Sequence, residues 1–367
     1  MSFLARLMGS PATNSRESSD KLDTSDDIYS TDVDFGLKVF SNPSNPTVEY
    51  VSRGPFSNLP PTQVNKNASI VFVHGLTGNR EKTWTHQNGT LWPRDLLGPD
   101  FPTARILTFG YDADVVKIWG PASSNQILDN GKTLAFALLD CRVDSPTRPI
   151  IFAAHSLGGI VCESALLLSE KRETLQSVFA STYGVIFMGT PHHGSSLARW
   201  GHTVARYMGT FRSMNADLVG SLRLGNSELG QIAEDFQHLI RREDVRMMVF
   251  CFYETLPIHG VGKIVEQFSA VLSAYDNLPL DADHRSMTKF TGRTDPGYRK
   301  VHGLLRRWLR DCASGSNAAL KQEGLDMSNR YISKTREPRG GMVFSGSITG
   351  RNVVTGLTGE NINLTFR

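Results

Sequence analysis

Residues 149–161 read PIIFAAHSLGGIV, an apolar strand pattern that passes through Ala154-His155-Ser156-Leu157-Gly158 into a helical one. This is the nucleophile-elbow pattern with alanine in place of its first glycine. A sharp turn there holds the serine in a strained backbone conformation, and small flanking residues let strand and helix approach closely. The helix start adds positive partial charge beside the hydroxyl, which favours an oxyanion. The chemistry such a serine performs is attack on an acyl carbon. The plainer alternative is a serine that only caps the helix.

A serine hydroxyl needs a base, and in this architecture the chain order is Ser, acid, His. The histidines beyond the late strand pattern are His259, His284 and His302. His284 lies in the loop Leu280–Phe290, ahead of the last helix pattern, where it can reach over the sheet edge. His302 falls inside that helix and reads as a surface or packing residue. His284 is therefore the expected base. Glu254 follows the strand pattern Arg246–Tyr253 and is the expected acid, accepting from the imidazole and fixing its tautomer. Glu266, Asp276, Asp281 and Asp283 compete for that role.

Another strand pattern, Ser69–His74, runs into Gly75-Leu76-Thr77-Gly78. The loop after this strand supplies one oxyanion N–H and the residue after the nucleophile supplies the other. Those donors are expected at Leu76 and Leu157. His74 reads mainly as a turn histidine that marks the loop. With Gly75, and with Thr190, Pro191, His192 and His193 after the strand pattern Gly184–Gly189, it is expected to shape a substrate crevice. No carboxylate or cysteine stands at ligand spacing from His192 or His193, so no metal is expected, and no other cofactor.

The elements that must position these residues follow from periodicity. Short β-rich runs at Gly36–Phe40, Val48–Arg53, Ser69–His74, Arg105–Tyr111, Ile150–His155, Gly184–Gly189 and Arg246–Tyr253 alternate with helical patterns. The helical patterns are Asn125–Leu139, Gly158–Ser169, Arg199–Phe211, Glu228–Arg242 and Pro296–Trp308. Several strands are apolar on successive positions, as in sheets covered on both faces. The expected fold class is α/β, a mostly parallel sheet flanked by helices. Leu197–Arg242 inserts helices between two strands and is a candidate lid.

The chain has 367 residues, 40% hydrophobic and 20% charged, with 39 Lys+Arg against 36 Asp+Glu. That balance excludes wholesale disorder, and no basic run suggests nucleic-acid binding. Four scattered cysteines without C-x-x-C spacing point to a reducing, cytoplasmic setting. Residues 1–34 are rich in Ser, Asp and Thr and are expected to be disordered. A hydrolase domain is expected over 35–313, a polar linker over 314–340 and a separate motif over 341–367. In that last stretch Ile362, Leu364 and Phe366 alternate with Asn361, Asn363 and Thr365. Short β segments punctuated by glycine suggest an unpaired strand seeking a partner.

Taken together, Val71-Phe-Val-His-Gly-Leu, Trp84, Phe109-Gly-Tyr, Ala154-His-Ser-Leu-Gly-Gly, Gly189-Thr-Pro-His-His-Gly-Ser, Glu254-Thr-Leu-Pro and Asp283-His resemble the α/β-hydrolase family of serine-active-site-containing, lipase-like proteins. The resemblance spans about Gly36 to Ala313. It implies an α/β-hydrolase fold, Ser156 and His284 as catalytic residues, ester or phospholipid substrates, and association with mitochondrial or endoplasmic reticulum membranes. The stretch from Phe344 to Gly359 resembles the sigma-type prion-forming motif of filamentous fungi, and the combination is similar to SesB-type proteins. That likeness implies self-assembly through 341–367, templated by a NOD-like receptor with a matching amyloid motif, with incompatibility or defence cell death as output. The alternative is a catalytically silent adaptor on the same fold.

Overall fold

The computed structural model describes residues 35–43, 48–51, 62–65, 67–113, 123–193, 200–201, 203–204 and 216–314. The chain divides into two units between Lys321 and Gln322, and all of these residues lie in the first. The expected N-terminal segment, the linker beyond Ser314, the motif at 341–367 and most of the helix pattern Arg199–Phe211 lie outside the described residues.

Among the described residues, seven strands form one sheet. They are β1 (Gly36–Ser41), β4 (Ser69–Val73), β5 (Arg105–Gly110), β6 (Ile150–His155), β7 (Thr182–Met188), β8 (Met248–Glu254) and β9 (Asp276–Leu280). A separate hairpin pairs β2 (Val48–Val51) with β3 (Thr62–Asn65). The order in the sheet is β1-β5-β4-β6-β7-β8-β9. Only β1 is antiparallel to its neighbour, and the other pairings are parallel.

The successive apolar positions are explained by two separate cores. Val71, Val73, Phe152, Ala154 and Cys251 face one, whereas Ile70, Phe72, Ile151, Ala153 and Phe252 face the other. The first core lies under α1 (Ser123–Asp140), α2 (Leu157–Lys171) and α3 (Ala216–Ile240). The second is closed by α4 (Pro296–Ser314) and a cluster in which Trp84 and Trp92 each meet Phe72 edge-on, ring centroids 5.0 Å apart. Parallel strands buried on both faces, with helices on each side, make this the α/β-hydrolase fold.

Two elements differ from expectation. β9 reads DNLPL, with three exposed residues and a proline, and carries no strand pattern. It forms because it is the outermost strand, where a residue without an N–H is tolerated. The segment considered as a lid contains α3, whose Leu229, Ala233, Phe236 and Leu239 are buried in the fold. That half of it is a core helix, and 205–215 lie outside the described residues.

Helix α2 starts hard against the end of β4. A methyl group at Gly158 would stand 2.3 Å from the His74 carbonyl oxygen and 2.6 Å from that of Val73. Gly158→Ala is therefore expected to destabilise the protein by about 1–3 kcal/mol, the usual cost of overpacking, although alanine is the better helix former. Urea denaturation checks this; a variant as stable as the parent would mean that α2 has room to move away from β4.

Candidate active site

Ser156, Glu254 and the loops bearing His74 and Thr190 stand at the carboxyl ends of parallel strands, the edge where ligands of α/β folds bind, whereas the competing acid Asp276 begins β9 at the opposite edge. Ser156 joins β6 to α2 with φ 52° and ψ −125°. A non-glycine residue in the left-handed region is strained, and here the surroundings over-determine it. Its N–H donates to the Met188 carbonyl at 2.9 Å, and its carbonyl accepts from Gly159 N–H at 3.0 Å. A methyl group at Gly75 would come within 2.7 Å of the Ser156 Cβ, so only a glycine lets the β4 loop pass this closely.

The carboxylate that the fold brings to His284 is Glu254, the last residue of β8. Nδ1–H of His284 donates to Glu254 Oε2 at 2.5 Å. The other oxygen, Oε1, accepts from Ile264 N–H at 2.6 Å and Val265 N–H at 3.2 Å. Burial of the acid is nearly complete, at 1% exposure. The other ring nitrogen of His284, Nε2, is buried and has no hydrogen-bond partner among the described residues. Of the competing acids, Glu266, Asp276 and Asp281 are exposed. Asp283 is spent on the turn after it, accepting from Arg285 N–H, Ser286 N–H and the Ser286 hydroxyl.

The β4 loop is held by its own side chains. His74 stacks on Tyr111 with centroids 4.4 Å apart and planes 6° apart. Tyr111 N–H donates to His74 Nε2 at 3.2 Å, so the proton sits on Nδ1, which donates to the Gly75 carbonyl at 2.9 Å. The Tyr111 hydroxyl donates to the His74 carbonyl at 2.8 Å. Gly78 N–H also reaches the Gly75 carbonyl, at 3.0 Å. Because C=O and N–H point oppositely in a trans peptide, fixing the Gly75 carbonyl aims the Leu76 N–H. Neither Leu76 N–H nor Leu157 N–H is engaged by a backbone carbonyl among the described residues.

The expected crevice residues divide differently. His74, Thr190 and His192 are buried at 1%, 0% and 0% exposure. Pro191 is likewise buried, and His193 is half-buried. His192 turns inward, with Nδ1 3.0 Å from Glu163 Oε1 and Nε2 3.9 Å from Cys251 Sγ. Burial opposes charge on this imidazole, but Cys251 and Glu163 outweigh it and raise its pKa to about 9. Among the described residues no set of three His, Cys, Asp or Glu side chains could hold a metal ion. No helix of the described residues is long and apolar enough to cross a membrane.

Sequence reasoning passed over His155, the residue before the serine. Its Nε2–H donates to the His284 carbonyl at 2.9 Å and its ring lies 4.8 Å from the His284 ring. Its position inside the elbow was the available signal. Burial holds its pKa well below the ordinary value, and the nearby His284 adds to the effect.

Residues 64–217 match the family described as "Putative serine esterase (DUF676)", a stretch that includes Ser156 but stops before Glu254 and His284. Protein SERAC1 of Bos taurus is 29% identical over 246 residues, covering 60% of this chain and 36% of that protein. The Danio rerio protein of the same name is 30% identical over 250 residues, with the same coverage. The chain thus spans about a third of the length of the curated relatives it matches. Among solved structures, YbtT, a type II thioesterase from the yersiniabactin biosynthetic pathway, aligns with a TM-score of 0.40 and 14% identity over 75% of this chain and 98% of its own.

A neutral, buried His155 makes folding pH-dependent. The unfolded imidazole takes up a proton near pH 6.5 and the folded one does not, so the unfolded state binds more protons below that pH. Stability is expected to fall as pH drops below about 6.5, and His155→Gln, which keeps a donor for the His284 carbonyl, should make the fall shallower. Urea midpoints across pH 5 to 8 read this; parallel curves for the two proteins would refute it.

Proposed function

We propose that this protein is a serine hydrolase acting on carboxylic esters, lipid esters among them. The observation that carries the reading is His284, with Nδ1 committed to a buried carboxylate and Nε2 left without a partner. A proton from Ser156 goes to Nε2 as the serine oxygen bonds to the acyl carbon. Leu76 and Leu157 N–H groups hold the oxyanion, and the imidazolium returns the proton to the departing alkoxide. Water then attacks the acyl-enzyme by the same route in reverse. The match of residues 64–217 to a serine-esterase family supports the same chemistry.

The reading extends to the chain end. Residues 341–367 recruit the hydrolase to a NOD-like receptor carrying a matching motif, by templated β-assembly, in incompatibility or defence cell death. Its support is the period-two alternation at Asn361–Phe366 and the motif resemblance. Clustering raises effective concentration and needs no new catalytic contact. The setting is the cytoplasm, at or near a mitochondrial or endoplasmic reticulum membrane surface.

A fluorophosphonate probe should label the full chain and not Ser156→Ala, and more strongly after assembly. Absence of labelling in both soluble and assembled protein would sink the hydrolase reading. Glu254→Gln is expected to lower kcat on a p-nitrophenyl ester by about 10²–10⁴-fold. Tyr111→Phe removes the hydrogen bond to the His74 carbonyl, which steadies the peptide next to the one that carries the Leu76 N–H. It should lower kcat about 10-fold with KM nearly unchanged, less than the 10²–10³ lost with a whole oxyanion donor.

A further inference from the structure

The exposed side of α4 carries charge that ester hydrolysis does not use. Tyr298, Val301, Leu304, Leu305, Trp308 and Cys312 are buried against the sheet. On the opposite side Arg299, Arg306 and Arg310 recur at i, i+7 and i+11, one row of the helix, and all are exposed. Gly303 falls in that row between the first two. A methyl group there would meet nothing closer than the Arg307 guanidinium at 3.9 Å, so the row contains a gap.

A cavity of about 450 Å³ opens at this place, lined by Arg293, Arg299, Arg306 and His302 over Asp100 and Phe101. The acid is already satisfied. Arg293 Nε–H donates to Asp100 Oδ1 at 2.9 Å, and the Tyr298 hydroxyl donates to Oδ2 at 2.6 Å. His302 stands 3.7 Å from the same carboxylate, with its ring stacked on Phe101 at 4.9 Å. Arg299 and Arg306 form no ion pair among the described residues. Three guanidinium groups therefore face one carboxylate whose lone pairs are already engaged, and the cavity is electropositive.

We infer that this cavity binds a phosphate group. Guanidinium forks match phosphate oxygens bidentately, and two unpaired forks on one helix row can close on the same group. The volume admits a phosphomonoester or diphosphate together with part of the molecule that carries it. A soluble phosphate compound and a phospholipid headgroup present the same chemistry here. The site does not involve Ser156, Glu254 or His284, so it stands whether or not the hydrolase reading does.

Two probes separate the sources. Inorganic pyrophosphate is titrated calorimetrically into the full chain. Co-sedimentation is measured with phosphatidylcholine vesicles, with and without phosphatidylglycerol. Saturable binding of at least one probe is expected, weakened about 10-fold or more in Arg299→Glu/Arg306→Glu. The milder Arg299→Ala/Arg306→Ala should shift it the same way, which guards against a folding defect. Lys171→Glu/Arg172→Glu makes the same charge change elsewhere and should bind like the parent. Pyrophosphate binding marks a soluble ligand, and binding only to vesicles with phosphatidylglycerol marks a headgroup. Absence of saturable binding to either probe, or equal loss in the Lys171/Arg172 variant, overturns the assignment.

Discussion

A carboxylate at 1% exposure is costly to bury unless hydrogen bonds replace its water, and Glu254 sets the geometry around it for that reason. Its two oxygens are served from two different loops. Ile264 and Val265 N–H come from the loop after β8, and His284 comes from the loop after β9. Both loops must fold back over the sheet edge to reach it. The outermost strand, polar and containing a proline, is thereby required: it returns the chain to the edge from which His284 can project.

The other half of the site depends on close backbone approach rather than on charge. Ser156 holds a left-handed conformation because β6, α2 and the β4 loop leave it nowhere else to go. A methyl group at Gly159, Gly158 or Gly75 would meet a neighbouring atom at 2.2, 2.3 or 2.7 Å, so these positions around the elbow admit no side chain. The two halves are joined by His155, whose hydrogen bond to the His284 carbonyl ties the residue before the serine to the histidine loop. Behind them the buried Glu163–His192–Cys251 group links α2, the loop after β7 and β8. Side chains that do no chemistry in the proposed reaction thus govern where the reacting atoms stand.

The charge on α4 has a different logic. An amphipathic helix that closes a core needs polar residues outside, but it does not need them all of one sign. Around the cavity one carboxylate is neutralised by neighbours, while Arg299 and Arg306 form no ion pair among the described residues. Such an arrangement shapes encounters with anions and contributes little to folding.

Local pattern was enough for most of the fold. The strand-turn-helix around Ser156, the strand entering His74-Gly75, the doubly covered sheet and the late loop bearing His284 were all legible, because runs of apolar residues and small turn residues act within a few positions. Tertiary structure alone decided the rest. Five carboxylates were plausible partners of His284, and Glu254 stands 30 residues from it, so only strand order and loop return bring the two together. His155 meets His284 across 129 residues, and no period in the chain encodes that contact. His192 meets Glu163 across 29 residues, a contact that no local pattern encodes. β9 carried no strand pattern, and the helix pattern Glu228–Arg242, though legible, did not show that its apolar face is core: an edge strand draws its stability from its neighbour, and a helix face is core only when another element covers it. Residue type and short-range spacing therefore determined which groups could react, and long-range burial and pairing decided which of them meet.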